Sequence, residues 1–492
     1  MAVHLLIFLC SAALALALWG DAVLRPGTYA FGLLALWQCY CILTARGRPR
    51  RQVVLRLGGF SWDIFSFCRG WLITGQVGSG KTVAAINTML WQVSKNCPGW
   101  GGVCVDDKGV YWETLSAMLG NLGRSSDLIL LQVRPETALA GWQPVHRFNF
   151  LDNPHLPYSA KAKIICDVAA SLGQRTEQSF FRMQAQVQME FAFNALACAG
   201  CDVTLASAYT FLTSDMEQGR VIARLAAVDT PEAKAMTDHY HFNFSKQPPE
   251  QLGGVKTTIA NYLKCFMEPG IAEVFCSPQS TFNFDDIDRG KIICVSIPQR
   301  YAVERRYVNT LLKLTFYSHA LRRFDRSAGE RATDNLLIFW ADEAQKIVTA
   351  SEDGMSDYNV VDVLREARAT VVAATQSYSS LVPPMGDEKK AKVFIANMAN
   401  RVTFCAADED SAKIAADTLG KRKSLRRTTG WSGGKRTTSL TEENRYYIEP
   451  HEFRRLRRFQ AVVQHCDFGF RRTCISPLGV DGRPPAWHRS KS

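Results

Sequence analysis

Apolar residues in this chain form short runs of strand type that alternate with longer runs of helical spacing. Strand-type runs occur at 71–74, 102–105, 127–133 and 291–297, and again in the later part of the chain. Short buried strands separated by helices favour parallel pairing with helices on both faces. The pattern therefore predicts an α/β fold with a mostly parallel central sheet, built from residues 70–158 and 281–480.

Between these two parts, over residues 159–280, the strand pattern disappears. The segments 179–199, 204–212, 220–227 and 250–266 all have helical spacing. We therefore predict an inserted all-α domain. Aromatic and methionine side chains of its first long helix are expected to form core rather than a ligand surface, and they are Phe181, Met183, Met189, Phe191 and Phe193.

The amino terminus carries two uncharged apolar runs, at residues 5–19 and 28–44. Each run is close to the length that crosses a bilayer, and five arginines follow between residues 46 and 56. Positive residues next to a span favour the cytoplasmic side. We predict a two-helix transmembrane hairpin over 1–45, with a basic linker at 46–69. A cleaved signal peptide, or one span followed by a buried helix, are the alternatives.

The composition indicates a net positive charge and a reducing cellular compartment. The 492 residues hold 58 Lys or Arg against 46 Asp or Glu, a net charge of +12, which suits a polyanion or an anionic membrane face. The 15 cysteines are scattered, which is typical of reduced thiols rather than a disulfide framework. Cys198 and Cys201 form a lone CxxC pair, which we interpret as packed thiols rather than a zinc or redox site.

A phosphate-binding loop follows the first strand of the sheet. Residues 75–82 read GQVGSGKT and fit G-x-x-x-x-G-K-[ST] between a strand and a helix, so we predict ATP and Mg²⁺ as cofactors. Lys81 would reach the β- and γ-phosphates, and the Thr82 hydroxyl would bind the metal. A glycine-rich turn with a surface lysine is the alternative. The predicted nucleotide-binding residues are Gly75, Gln76, Val77, Gly78, Ser79, Gly80, Lys81 and Thr82.

Two acids and an amide at strand ends complete a predicted hydrolysis site. Asp342 follows an apolar strand and is expected to bind the metal, while Glu343 would orient and polarise the attacking water. Gln376, at the end of another strand, would contact the γ-phosphate or that water. Arg365 and Arg368 precede this strand on a predicted helix and could reach the phosphates of a neighbouring subunit.

The motifs WLITGQVGSGKT, VDDKG, FNFLD, LLIFWADEAQ, REARATVVAATQS and NRVTFCAADEDSAKIAADTLG occur in this order between residues 71 and 420. The ordered set resembles the TraD/TraG-like coupling proteins of type IV secretion and conjugation, in the FtsK/HerA group of P-loop ATPases. This resemblance implies a RecA-type nucleotide domain, a bacterial inner-membrane anchor with a cytoplasmic ATPase, and a homo-oligomer, typically a hexamer. It also implies relaxase–DNA complexes or secretion substrate proteins as partners, together with the secretion channel.

Contact with DNA is predicted from a basic segment at residues 421–439, which holds seven Lys or Arg. Such a loop or hairpin could line the pore of a ring and contact phosphates, or it could be solvated or face anionic lipid. A basic tail follows at 481–492. The predicted function is a membrane-anchored, DNA-dependent ATPase that couples substrates to a type IV secretion channel. The alternatives are a double-stranded DNA translocase of the same fold and an ATPase receptor for protein effectors that does not act on DNA.

Overall fold

The computed structural model describes residue 37 and residues 52–172, 179–351, 354–432 and 435–489. The predicted transmembrane hairpin at 1–45 lies outside these ranges except for Trp37. Among the residues that are described, no helix is both long enough and apolar enough to cross a bilayer. The described residues from Val53 onward form one compact unit.

A nine-stranded sheet forms the centre of this unit, in the order β13-β12-β9-β3-β8-β7-β4-β6-β5. The seven strands from β9 to β5 pair in parallel, and β12 and β13 add an antiparallel edge. The mostly parallel sheet is thus confirmed. Its strands are β3 (Trp71–Thr74), β4 (Gly101–Val105), β5 (Leu128–Gln132), β6 (Ile292–Ser296), β7 (Leu337–Ala341), β8 (Ala369–Thr375), β9 (Asn400–Thr403), β12 (Gln460–His465) and β13 (Gly469–Cys474). Two further strand pairs stand apart from it: β1 (Val53–Leu57) with β2 (Phe60–Asp63), and β10 (Lys421–Ser432) with β11 (Lys435–Tyr446).

Helices cover both faces of the sheet. In chain order they are α1 (Ile64–Phe67), α2 (Asn87–Asn96), α3 (Tyr111–Asn121), α4 (Tyr158–Ser171), α5 (Ser179–Cys198), α6 (Leu205–Thr213), α7 (Asp215–Ala226), α8 (Pro231–His239), α9 (Pro249–Leu263), α10 (Pro269–Phe275), α11 (Ala302–Arg322), α12 (Ala328–Thr333), α13 (Asp357–Val360), α14 (Val382–Met385), α15 (Glu388–Asn397), α16 (Glu409–Leu419), α17 (Pro450–Phe453) and α18 (Ala486–Arg489).

Two buried cores lie on opposite faces of the sheet, because successive strand side chains point to opposite sides. Leu72 and Val103 belong to the core under α4–α11, whereas Trp71 and Cys104 belong to the core under α2, α3 and the β1–β2 hairpin. Strands buried on both faces explain why the sequence shows continuous apolar runs rather than alternation.

The described residues of the inserted part between Tyr158 and Phe275 form helices and turns without a strand, as predicted. Met189, Phe191 and Phe193 are buried there, but Met183 is 61% exposed, so the predicted core stripe is wrong at that position. Phe181, two residues earlier on α5, is instead partly buried and lies against Gly254 of α9. Cys201 accepts a hydrogen bond from Arg224 at 3.4 Å, and no disulfide joins the cysteines of the described ranges.

The predicted linker at 46–69 is folded from residue 53 onward. The β1–β2 hairpin packs against α2, and Trp62 is fully buried, with its indole nitrogen donating to the side-chain oxygen of Asn400 at 2.8 Å. The linker prediction was wrong here because the charged residues of this short stretch mask its apolar positions in an average composition. Val54, Leu55 and Trp62 nevertheless supply apolar surface that is buried in a core.

The basic segment forms a two-stranded antiparallel hairpin that extends past residue 439 to Tyr446. Twelve residue pairs join β10 to β11, and neither strand pairs with the central sheet. Residues 421–446 carry eight Lys or Arg and two Glu. Lys421, Arg422, Lys423, Arg426 and Arg427 are all exposed, so this ribbon presents positive charge on both of its faces.

A buried ion pair fixes the segment that follows β7. The Lys313 amine of α11 bonds to the Asp357 carboxylate and donates to the backbone oxygen of Ile347 at 2.5 Å. The side chains of Lys313 and Asp357 are 2% and 4% exposed, and burial lowers the pKa of Lys313. Asp357 also accepts hydrogen bonds from Tyr317 and from the backbone and hydroxyl of Thr349. Every oxygen of this carboxylate is thus used to hold the 347–357 segment against α11.

Candidate nucleotide-hydrolysis site

The glycine loop lies at the carboxyl end of β3 and opens a π-helical turn, Lys81–Ile86, that continues into α2. Gly75, Gly78 and Gly80 have φ angles of 155°, 77° and 113°, a region that L side chains rarely adopt. At Gly80 a Cβ would also lie 2.6 Å from the ring of Phe459. The sequence therefore needs glycine here both for the turn and for the close approach of a neighbouring side chain.

Lys81 is buried within this loop. Its amine donates to the backbone oxygens of Gly75 at 2.5 Å and Gln76 at 3.3 Å. Burial lowers the pKa of Lys81, and the nearby carboxylates of Asp342 and Glu343 act in the opposite direction. An ammonium group whose hydrogen-bond partners are neutral carbonyls of its own loop is well suited to an incoming phosphate, because an anionic acceptor makes the stronger bond.

Thr82 and Asp342 bring two hard oxygen ligands together. Their side-chain oxygens lie 3.2 Å apart, and the Asp342 backbone bonds to Val105 at 3.1 Å, which fixes it at the end of β7. Adjacent ligands of an octahedral Mg²⁺ ion, each about 2.1 Å from it, are roughly 3 Å apart. Burial first, and the Glu343 charge second, raise the pKa of Asp342. A divalent cation bound here would lower the pKa of Asp342 and so oppose both effects. The donor set therefore fits Mg²⁺.

The next residue, Glu343, contacts the side-chain amide of Gln376, which was also predicted to belong to this site. The Gln376 side-chain nitrogen donates to Glu343 at 3.2 Å, and Gln345 donates to the same oxygen. Because β7 and β8 are neighbours, their carboxyl ends place these residues side by side. Glu343 has φ 58° and ψ 48°, a left-handed conformation that is uncommon outside glycine and that turns its side chain out of the strand direction.

Arg365 and Arg368 do not join this cluster. They precede β8 and therefore lie at the amino edge of the sheet, opposite the glycine loop. Arg365 stacks on Phe65 at 4.9 Å, and Arg368 donates to the backbone of Ala332. The helix predicted over 360–368 is also wrong: α13 ends at Val360 and only a 3₁₀ turn follows at Leu364–Ala367. Three valines in this stretch disfavour a continuous helix.

The structure adds Asp106, which the sequence reasoning missed. It follows β4, next to β7, and one carboxylate oxygen accepts from the backbones of Val110 and Tyr111 at 3.2 and 3.3 Å. Its other oxygen is buried and has no hydrogen-bond partner among the described residues. Burial raises the pKa of Asp106, and its charge acts on Asp342. The sequence signals for it were its position at the end of an apolar strand and its place in the motif VDDKG.

Asp107, one residue further, is held by a buried arginine. The Arg305 guanidinium lies 3.4 Å from the Asp107 carboxylate and also donates to the backbone oxygens of Ile297 and Pro298. This contact joins the loop after β4 to the start of α11. It fixes the backbone around Asp106 from the side away from the glycine loop.

Comparisons with known proteins agree with this geometry. A family model described as the TraM recognition site of TraD and TraG matches residues 337–458. The bacterial conjugative coupling protein TrwBdeltaN70, in an unbound form, has a TM-score of 0.63 at 16% identity, covering 91% of this chain and 94% of that one. The plasmid coupling protein TrwB in complex with the ATP analogue ADPNP has a TM-score of 0.61 at 15% identity, with the same coverage.

A second type of solved structure is also similar. VirB4 of Thermoanaerobacter pseudethanolicus has a TM-score of 0.50 at 12% identity and covers 90% of this chain and 99% of that one. A search of curated protein sequences finds no match. The family-model match over residues 337–458 and the shared α/β fold agree with the resemblance that the ordered motifs indicated.

Proposed function

We propose that this chain is an ATPase that couples DNA or nucleoprotein substrates to a type IV secretion or conjugation channel. The observation that carries the ATPase part is the convergence of Lys81, Thr82, Asp342, Glu343 and Gln376, from three neighbouring strands, at one edge of the sheet. Such a constellation combines phosphate binding, a metal site and a carboxylate able to polarise water.

The position of each residue in the site determines its proposed role. Lys81 and the loop amides hold the β- and γ-phosphates, while Thr82 and Asp342 provide oxygen ligands for the metal. A Mg²⁺ ion held by Thr82 and Asp342 would offset the charge that develops on the phosphates during transfer. Glu343 accepts a proton from the attacking water, and Gln376 holds the Glu343 carboxylate in place. Loss of the γ-phosphate would be sensed at Gln376, since its amide faces the reacting end.

The assembly and partners follow from the resemblance and from charge. We propose a hexameric ring anchored in the bacterial inner membrane through residues 1–45, with the ATPase in the cytoplasm. The uncharged runs at 5–19 and 28–44, followed by arginines, support the anchor. Relaxase–DNA complexes or effector proteins are the proposed cargo, and channel components the proposed docking partners. The family-model match over 337–458 supports an accessory protein of the TraM type as a further partner.

One experiment tests the DNA-dependent ATPase directly. Hydrolysis by the full-length protein in detergent, measured at low salt, should increase when single- or double-stranded DNA is added. Lys81→Ala should show no turnover in any condition, because the phosphates lose their buried cation. Turnover that is the same with and without DNA would contradict the DNA-coupled motor and favour the effector-receptor alternative. The DNA form that stimulates hydrolysis more would identify whether the transported DNA is single- or double-stranded.

The β10–β11 hairpin should supply a large part of DNA affinity. Replacing Lys423, Arg426 and Arg427 together with glutamine should weaken binding and lower the slope of log affinity against log salt by about 2 to 3, since each lost phosphate contact removes about 0.7 to 0.9. Fluorescence anisotropy with labelled DNA at several salt concentrations measures this slope.

The matched control removes the same charge elsewhere. Lys389, Lys392 and Lys413 are exposed on α15 and α16, and their replacement by glutamine should leave the slope close to wild type. Equal losses in the two triple variants would contradict a specific role of the hairpin and indicate only a general effect of net charge.

A further inference from the structure

The carboxyl-terminal segment lies along the helix that leaves the glycine loop. The Leu478 backbone donates to the Val83 oxygen at 2.9 Å, and the Asn87 side chain donates back to the Leu478 oxygen at 3.3 Å. Further along, the Asn121 side chain donates to the Val480 oxygen at 2.9 Å. Leu478 is therefore held beside the turn that follows the glycine loop, and Val480 is held against the end of α3.

Phe459 lies directly on the glycine loop. Its backbone nitrogen donates to the Ser79 oxygen at 3.0 Å, and its own oxygen accepts from Ile475 at 2.8 Å. Its φ angle of 68° is unusual for a bulky residue, and such a conformation persists only where the surroundings impose it. Both backbone groups are held here, and the side chain is 7% exposed against Gly80.

An aromatic and cationic cluster extends from Phe459 toward solvent. Trp487 stacks on it, with ring centroids 6.0 Å apart and planes inclined by 27°. The Arg458 guanidinium lies 4.8 Å from the Phe459 ring and 5.3 Å from the Trp487 ring. Trp487 is 47% exposed next to Phe459.

The sheet topology decides which end of a nucleotide would meet this cluster. β3 has β8 and then β7 on one side, with β9 and then β12 on the other. Asp342, Glu343 and Gln376 lie at the ends of β7 and β8, so the γ-phosphate points to that side. The chain of phosphates then leads the sugar and base away from the acids, toward the beginning of β12, where Phe459 lies.

We propose that Trp487, supported by Phe459 and Arg458, stacks on the nucleobase of the bound nucleoside triphosphate. This inference rests on the proposed nucleotide binding and adds to it the site of the base. Stacking on an aromatic face with a cation nearby accepts any base with a π surface and is strongest for purines. The cluster therefore provides affinity for the base, and it ties the last residues of the chain to the state of the nucleotide site.

Binding of ATP and of inorganic tripolyphosphate, both with Mg²⁺, separates the base from the phosphates. In the full-length wild type, calorimetric titration should give tighter binding of ATP than of tripolyphosphate. Trp487→Ala should weaken ATP about tenfold and leave tripolyphosphate unchanged, whereas Trp487→Phe should keep most of the ATP affinity. Trp142→Ala, in a loop of the same chain away from this cluster, should change neither ligand.

Three results would overturn the base site. They are ATP affinity unchanged in Trp487→Ala, equal weakening of both ligands, and equal wild-type affinity for both. The last would leave phosphate binding by the loop intact, so the proposed ATPase would survive it. A wild type that binds neither ligand would instead overturn the proposed nucleotide function and the base site with it.

Discussion

Replacing Glu343 with glutamine should reduce ATP turnover at least 100-fold while ATP binding stays near its wild-type value. Glutamine keeps the size of the side chain and its contacts with Gln345 and Gln376 but cannot accept the proton of the attacking water. Loss of a positioned general base typically costs 10²- to 10⁴-fold, an order-of-magnitude range. Turnover at saturating ATP and the dissociation constant for ATP are the two measurements.

A matched substitution separates this chemistry from a change in charge. Glu232 is exposed in the first turn of α8, within the inserted helical part, and Glu232→Gln should retain wild-type turnover. Substantial hydrolysis by Glu343→Gln would remove the water-polarising role from this residue. Asp106, whose buried oxygen is free of partners among the described residues, would then be the next carboxylate to test.

Replacing Lys313 with methionine should lower the free energy of unfolding by about 3–5 kcal/mol. Methionine fills a similar volume but leaves the Asp357 carboxylate buried without its cation, and an unpaired buried charge is costly. The hydroxyl and backbone groups of Tyr317 and Thr349 would still donate to Asp357, which limits the loss. Urea unfolding followed by circular dichroism measures the change.

The control for this prediction is an exposed lysine that belongs to no buried ion pair. Lys389 lies exposed in the first turn of α15, and Lys389→Met should change the free energy of unfolding by less than about 0.5 kcal/mol. If Lys313→Met lost no more than this control, the buried pair would not be what holds the 347–357 segment in place.

The strands of the sheet were predictable because each is buried on both faces and so appears as an unbroken apolar run. Their order along the chain also predicted the hydrolysis site, since residues that follow parallel strands meet at one edge of a sheet. Glu343 and Gln376 are 33 residues apart yet in contact for this reason alone. The same rule places Arg365 and Arg368, which come before β8, at the other edge, roughly 20 Å away along a seven-residue strand.

Other features depended on contacts that no local pattern records. Asp106 became recognisable only when β4 was found beside β7, because its buried, unpartnered oxygen and its effect on Asp342 are tertiary properties. The Phe459 ring lies against Gly80, 379 positions earlier in the chain, and the Phe459 backbone nitrogen donates to the Ser79 oxygen. The β1–β2 hairpin was hidden because its buried residues are interleaved with one arginine and two glycines.

The contact between Leu478 and Val83 bears on how the protein is labelled in practice. A peptide tag or fluorescent label inserted next to Leu478 would lie beside the turn that follows the glycine loop. Its bulk would compete for the space next to the helix that leaves this loop. Variants labelled in this segment should therefore be checked for ATP turnover before they are used to follow the protein.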